Sequence, residues 1–196
     1  MKNRITSLKT VLALLLFQII AISSFAQVKY TLNSANILIS GTSTMHDWTM
    51  KSANGTFDAV FTFAANGRIS GISNLHFVTQ VSALKSEKSA MDKNAYKAMK
   101  KDKFATISFT AASLTAATAD GVNYAVKGIG KLTIAGVTHD IEVLTTLKLN
   151  ADKSITVNGY QKIKMKDYGV EPPSFMFGAV KTGNDITIKI DLSLKK

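Results

Sequence analysis

Three histidines, thirteen carboxylate side chains and no cysteine are the residues from which this chain could build chemistry. His46-Asp47 and His139-Asp140 each set an imidazole beside a carboxylate, a dipeptide that metal phosphohydrolases place on helices among further histidines. His76 stands alone, and no two of the histidines are spaced as paired metal ligands. Neighbours on an extended strand point to opposite faces, so His139 and Asp140 would not serve one site there. The lack of cysteine removes disulfides, thiolate nucleophiles and cysteine-based zinc sites. Ser43 lies near His46, but the Gly-x-Ser-x-Gly elbow is absent, and closeness in sequence does not make a triad. Nothing resembles a phosphate loop or a dinucleotide fingerprint. The expectation is a protein that is not an enzyme, with no catalytic residue, no metal and no cofactor.

The remaining chemistry is binding. Trp48, Phe57, Phe61, Phe63, Phe77, Met91, Met99, Phe109, Tyr124, Phe175 and Phe177 are large and apolar. They can either fill a core or line a tunnel for a long apolar ligand, with the methionines adapting to its shape. Periodicity does not choose between these. Trp48, the only tryptophan, ends the polar stretch Gly41-Thr42-Ser43-Thr44-Met45-His46-Asp47 and needs a partner for its ring N–H when buried. It reads equally as a cavity wall or as a corner that closes a barrel. Lys85 to Lys103 holds seven lysines against Glu87, Asp92 and Asp102. This run could meet an anionic head group or membrane surface, though a solvated helix face is the commoner meaning.

The elements that must position these residues are mostly strands. Only two prolines occur, Pro172 and Pro173, and Gly, Asn and Asp punctuate runs rich in Val, Ile, Thr and Phe. The clearest run is Thr56 to Phe63, where Phe57, Ala59, Phe61 and Phe63 share one face. Asn66-Gly67 follows as a hairpin turn. Further strands are expected at Tyr30–Ser40, Arg68–Val81, Thr106–Thr115, Val122–Ile134, Val137–Leu149, Ser154–Lys166 and Asp185–Leu194. Turns are expected at Asp120-Gly121, Ala135-Gly136 and Gly183-Asn184. From Ser89 to Lys101 the spacing changes: Met91, Ala95, Ala98 and Met99 fall at i, i+4, i+7 and i+8, which predicts a helix. Ser89 and Asp92 fit a capping box at its start. Strands in this number manage their edges best by closing on themselves, and an eight-stranded barrel is wide enough to hold a small ligand. An open sandwich is the competing all-β arrangement.

Residues 1–26 read as an export signal. Lys2, Arg4 and Lys9 precede the apolar run Val11 to Ile22, and Ser24-Phe25-Ala26 supplies small residues where a signal peptidase cuts. The apolar run is too short for a spanning helix, which needs about 20 residues. Cleavage is expected before Gln27, leaving one soluble domain over residues 27–196. Loss of three basic residues takes the formal charge from +11 to +8. A basic exported protein meets anionic lipid more readily than nucleic acid, so transient membrane contact is expected and nucleic-acid binding is not. Monomer and homodimer both remain open.

Four stretches carry a family resemblance. These are Ile39 through Trp48, Met91 through Phe109, Gly128 through Thr138 with its Gly-Lys-Leu-Thr-Ile-Ala-Gly-Val-Thr core, and Lys166-Asp167-Tyr168-Gly169-Val170. In order and spacing the chain resembles the YceI-like family of periplasmic, lipocalin-like polyisoprenoid-binding proteins over nearly all of residues 28–195. The resemblance implies an all-β, lipocalin-like, extended eight-stranded antiparallel barrel with one α-helix packed against it. It also implies a periplasmic carrier holding a polyisoprenoid or similar long-chain lipid in the barrel interior. The alternative is a stress-related periplasmic interaction module with a filled barrel and no lipid.

Overall fold

The computed structural model describes residues 25–196. The expected export segment therefore lies outside the described residues except for Phe25 and Ala26. The main strands are β1 (Ala26–Ser43), β3 (Thr56–Phe63), β4 (Ile69–Gln80), β5 (Thr106–Ala117), β6 (Asn123–Ile134), β7 (Val137–Leu149), β8 (Ile155–Lys164) and β10 (Val180–Lys195). Two short strands, β2 (Trp48–Ser52) and β9 (Ser174–Phe175), one α-helix, α1 (Ser89–Ala98), and three short 3-10 turns make up the remaining elements among the described residues.

The eight main strands form a closed antiparallel barrel. Closure depends on the length of β1. Its first part pairs with β3 over Ala26–Thr31, and the rest pairs with β10 over Thr31–Ser43. β2 continues the line of β3 along the other edge of β1, from Trp48 opposite Gly41 to Ser52 opposite Ile37. The sequence reading missed β2 and β9, which are too short to show an alternating pattern. It also started the first strand at Tyr30, so Ala26, paired with Phe63, places the expected cleavage point one residue inside β1.

The two ends of the barrel differ. One end is plugged by Tyr30, Phe61, Ile69, Tyr124, Ile155 and Leu194, all essentially buried. Tyr30 donates its hydroxyl to the Lys153 carbonyl at 2.8 Å. Tyr124 donates to the Gly121 carbonyl at 2.9 Å and accepts from the Ile69 N–H at 3.2 Å. These bonds tie the plug to the β3–β4, β5–β6 and β7–β8 turns. The other end carries α1 and a second apolar cluster of Leu132, Ile134, Ala135, Met165, Tyr168 and Val170. The Ala135-Gly136 turn between β6 and β7 sits there, both residues at positive φ (49° and 82°), as a tight hairpin requires.

The capping box is not formed. Lys88, not Ser89, occupies the N-cap, and it makes no side-chain cap. Asp92 instead reaches past the helix start to accept from the Ser86 N–H and hydroxyl, both at 2.7 Å. Burial works against charge on Asp92, but these bonds and nearby Lys85 outweigh it and hold the carboxyl below its usual range. The helix also stops before Lys101. Lys100 turns to φ 55°, and the Lys101 and Lys100 N–H groups bond back to Tyr96 and Lys97 carbonyls. That is a Schellman ending made without glycine.

Candidate functional site

The barrel encloses a cavity of about 470 Å³ between the tyrosine plug and α1. This volume lies within the range of small-molecule and lipid sites. Alternating inward positions of every main strand line it. β10 contributes Ile186, Ile188, Ile190 and Leu192, and β7 contributes Ile141, Val143 and Leu147. Helix α1 lays Met91, Ala95 and Ala98 over it, and Met99 follows from the helix end.

Of the aromatic and methionine positions expected at a tunnel, Trp48, Phe57, Phe61, Phe77, Met91, Met99, Phe109 and Phe175 line this cavity. Three do not. Tyr124 is buried in the plug, held there by its hydroxyl bonds. Phe63 lies past a register shift at the end of β3, packed beside Tyr30 with ring centroids 6.5 Å apart. Phe177 is fully exposed on the turn after β9, at φ 54°. Side-chain size alone misplaced all three. The reading also missed the aliphatic lining on β7 and β10, although the two-residue spacing of Ile186, Ile188 and Ile190 could have revealed it.

Trp48 is both wall and corner. It faces Gly41 across the β1–β2 pair, and its indole lies so close that a Cβ on Gly41 would sit 2.4 Å from the ring. The ring N–H donates to the Thr42 carbonyl at 3.0 Å. Ser43 accepts from the Met45 and His46 N–H groups and donates to the His46 carbonyl at 2.7 Å. The polar stretch is thus a turn that seats the tryptophan, and Ser43 is occupied with backbone rather than aimed at an imidazole.

His46, Lys88, Asn94 and Thr182 reach the lining at the helix end, and Thr79, Ser108, Thr145 and Gln161 add uncharged polar groups along the strands. Among the described residues the lining contains no Asp or Glu, and Lys88 is its one lysine. The other histidines stand apart. His76 is exposed on β4 opposite Asp58. His139 packs edge-on against Tyr168 and bonds through Nε2 to the Asp167 carbonyl at 2.8 Å. Asp140 turns the other way to the Lys131 ammonium at 2.7 Å. Among the described residues no three of His, Asp and Glu converge as a metal site would require, and no helix is long and apolar enough to cross a membrane.

Solved structures share this architecture. The crystal structure of Burkholderia cenocepacia BcnA superposes with a TM-score of 0.63 at 17% identity, covering 83% of this chain and 96% of that one. A polyisoprenoid binding domain from Saccharophagus degradans, implicated in plant cell wall breakdown, gives 0.62 at 12% identity, covering 85% and 97%. The Campylobacter jejuni YCEI protein gives 0.51 at 21% identity, covering 73% and 85%. At these identities the likeness is one of fold. No curated protein matches the chain. The sequence pattern described as YceI-like domain matches residues 29–194, the whole barrel from β1 to β10, and the chain belongs to that family.

Proposed function

We propose that this chain is an exported, periplasmic binding protein, with its mature domain beginning at Gln27, that carries one polyisoprenoid or similar long-chain lipid inside the barrel. The observation that carries the reading is the cavity: about 470 Å³, walled by aliphatic, aromatic and methionine side chains and free of carboxylates among the described residues. A filled-barrel interaction module would need this space packed. The S. degradans relative, described as polyisoprenoid binding, supports the ligand class.

The proposed activity is binding without turnover. Burial of about 400 Å² of a ligand's apolar surface would contribute on the order of 10 kcal/mol before ordering costs. The tail would lie toward Phe57 and Phe61, and the head toward Lys88, Asn94 and His46. A lone lysine in a lining without carboxylates favours a neutral or anionic head group over a cationic one. Retinol, an isoprenoid alcohol that fluoresces more strongly on apolar burial, tests this. Delipidated protein is expected to take up about one equivalent with a Kd of roughly micromolar or below. No saturable rise in fluorescence would overturn the reading.

A further inference from the structure

The barrel wall has a window. β7 and β8 pair only from Thr145–Gly159 down to Leu149–Ile155. Beyond Gly159 the ladder stops, although both strands continue, β7 back to Val137 and β8 on to Lys164. The strands meet again only at the rim, where His139 bonds to the Asp167 carbonyl in the turn after β8. The β5–β6 ladder is also interrupted, between Thr110 and Thr115, but it resumes on the far side, whereas the β7–β8 ladder does not resume along the rest of either strand. Gly159 marks the point of separation. A Cβ there would lie 2.6 Å from the Ile190 side chain and 3.0 Å from the Thr145 hydroxyl.

The cavity reaches through this window. Leu144 and Tyr160 are on the outward-facing register of their strands and are 56% and 49% exposed, yet they border the interior cavity. They also border a shallow groove on the outside of the barrel, together with Thr145 and Gly159. Interior and exterior apolar surface are therefore continuous here.

The rim is suited to a lipid surface. Lys127 stands opposite Leu144 on β6, and Lys189 stands opposite Tyr160 on β10. The Lys162 ammonium lies 6.0 Å from the Tyr160 ring. Ile129, 61% exposed, sits two residues from Lys127 on the same face. None of these three lysines has an ion-pair partner among the described residues. Of the carboxylates on the window's edges, Asp140 is held by Lys131, leaving Glu142 as the free one. Exposed aliphatic and tyrosine side chains ringed by lysines match the apolar and anionic layers of a bilayer surface.

We infer that the gap between β7 and β8 is a lateral portal, docked on an anionic bilayer through Leu144, Tyr160, Lys127 and Lys189, through which the ligand's hydrocarbon chain enters and leaves sideways. This rests on the lipid-carrier reading above. It lets an apolar chain pass from membrane to barrel without crossing water, while α1 stays seated over the cavity.

The chain has no cysteine, so a staple can be placed uniquely. Continuing the β7–β8 register puts Glu142 opposite Lys162 across the window. The Glu142→Cys/Lys162→Cys protein is treated either with a short bis-maleimide or with a monofunctional maleimide. Retinol transfer is then followed from vesicles containing about 30 mol% phosphatidylglycerol. The stapled protein is expected to take up and release retinol at least about tenfold more slowly than the same double variant capped with the monofunctional maleimide, at unchanged final occupancy. Equal rates for stapled and capped protein would overturn the portal and leave the carrier intact. No retinol uptake by wild type would overturn both. Lys127→Glu/Lys189→Glu is expected to slow transfer from the anionic vesicles and not from pure phosphatidylcholine. Equal transfer from both would overturn the docking face.

Discussion

Replacing Phe61 with alanine separates an open barrel from a filled one. Phe61 is 1% exposed, with its ring edge-on to Tyr30 at a centroid distance of 4.9 Å, and it also lines the cavity. In a fully packed core a Phe→Ala truncation costs roughly 3–5 kcal/mol. A ring bordering empty space already lacks part of its contacts, and dispersion scales with contacts made. Halving the core value gives about 1.5–2.5 kcal/mol, and loss of the edge-to-face pair with Tyr30 adds about 0.5–1.5 kcal/mol. The lipid-free protein should therefore lose roughly 2–4 kcal/mol, measured by urea unfolding. Retinol should bind the variant more weakly, so its ligand-induced gain in stability, RT ln(1 + [L]/Kd), should shrink. Phe61→Trp should narrow the inner cavity and weaken binding with a smaller loss of lipid-free stability. A loss of about 5 kcal/mol in Phe61→Ala, with no ligand-induced shift even in wild type, would refute the open-cavity account and restore the filled barrel. Unchanged retinol affinity in both folded variants would remove Phe61 from the lining that contacts ligand.

Other outcomes follow from single contacts. Gly41→Ala should push the Trp48 indole off its seat and cost about 1–3 kcal/mol; because Trp48 is the only tryptophan, a red shift of intrinsic emission reads this directly, and unchanged emission would refute it. Lys88→Glu should weaken binding of geranylgeranyl pyrophosphate about tenfold, roughly 1.4 kcal/mol, while leaving retinol affinity unchanged; equal loss for both ligands would show that Lys88 does not face the head group. Asp120 accepts from the Asn123 N–H and side-chain amide, and then from the Val122 N–H, which holds its carboxyl far below the usual carboxylate range. Its folded pKa is depressed, so its contribution is fully present above the unfolded value of about 3.9 and is lost as pH falls through the folded one. The melting temperature of Asp120→Asn should therefore lie below wild type at neutral pH and converge with it below about pH 4, whereas a gap independent of pH would contradict this.

The barrel was legible where one periodicity dominated. Thr56 to Phe63 alternates, and Phe57, Ala59 and Phe61 of its expected inward face are buried, while Phe63, past the register shift, is buried only in part. Ser89 to Ala98 has helical spacing, and Met91 and Ala95 do face the barrel. What stayed hidden depended on partners distant in sequence. β2 is five residues long and exists because β1 offers it an edge. The capping box failed because Asp92 found Ser86, a choice that the order Ser89-x-x-Asp92 cannot reveal. Tyr124, Phe63 and Phe177 share a residue class with true lining positions. Their placement follows from a hydroxyl bond, a register shift and a turn. The window between β7 and β8 has no signature at all, since both strands alternate normally through the region where they separate. The polar end of the cavity was equally obscure, because it combines Lys88 and Asn94 with His46 from a loop more than forty residues away.

Whether the barrel carries a lipid in its interior is read from native mass spectrometry of the protein purified from its own host without detergent. A lipid-carrying barrel should give a population heavier than the mature chain by one long-chain lipid, returned to the bare mass by organic extraction, with an isoprenoid or comparable chain recovered in near-equal amount. A protein that runs only at its bare mass, and that stays there after incubation with retinol or a longer prenol, would not be a lipid carrier.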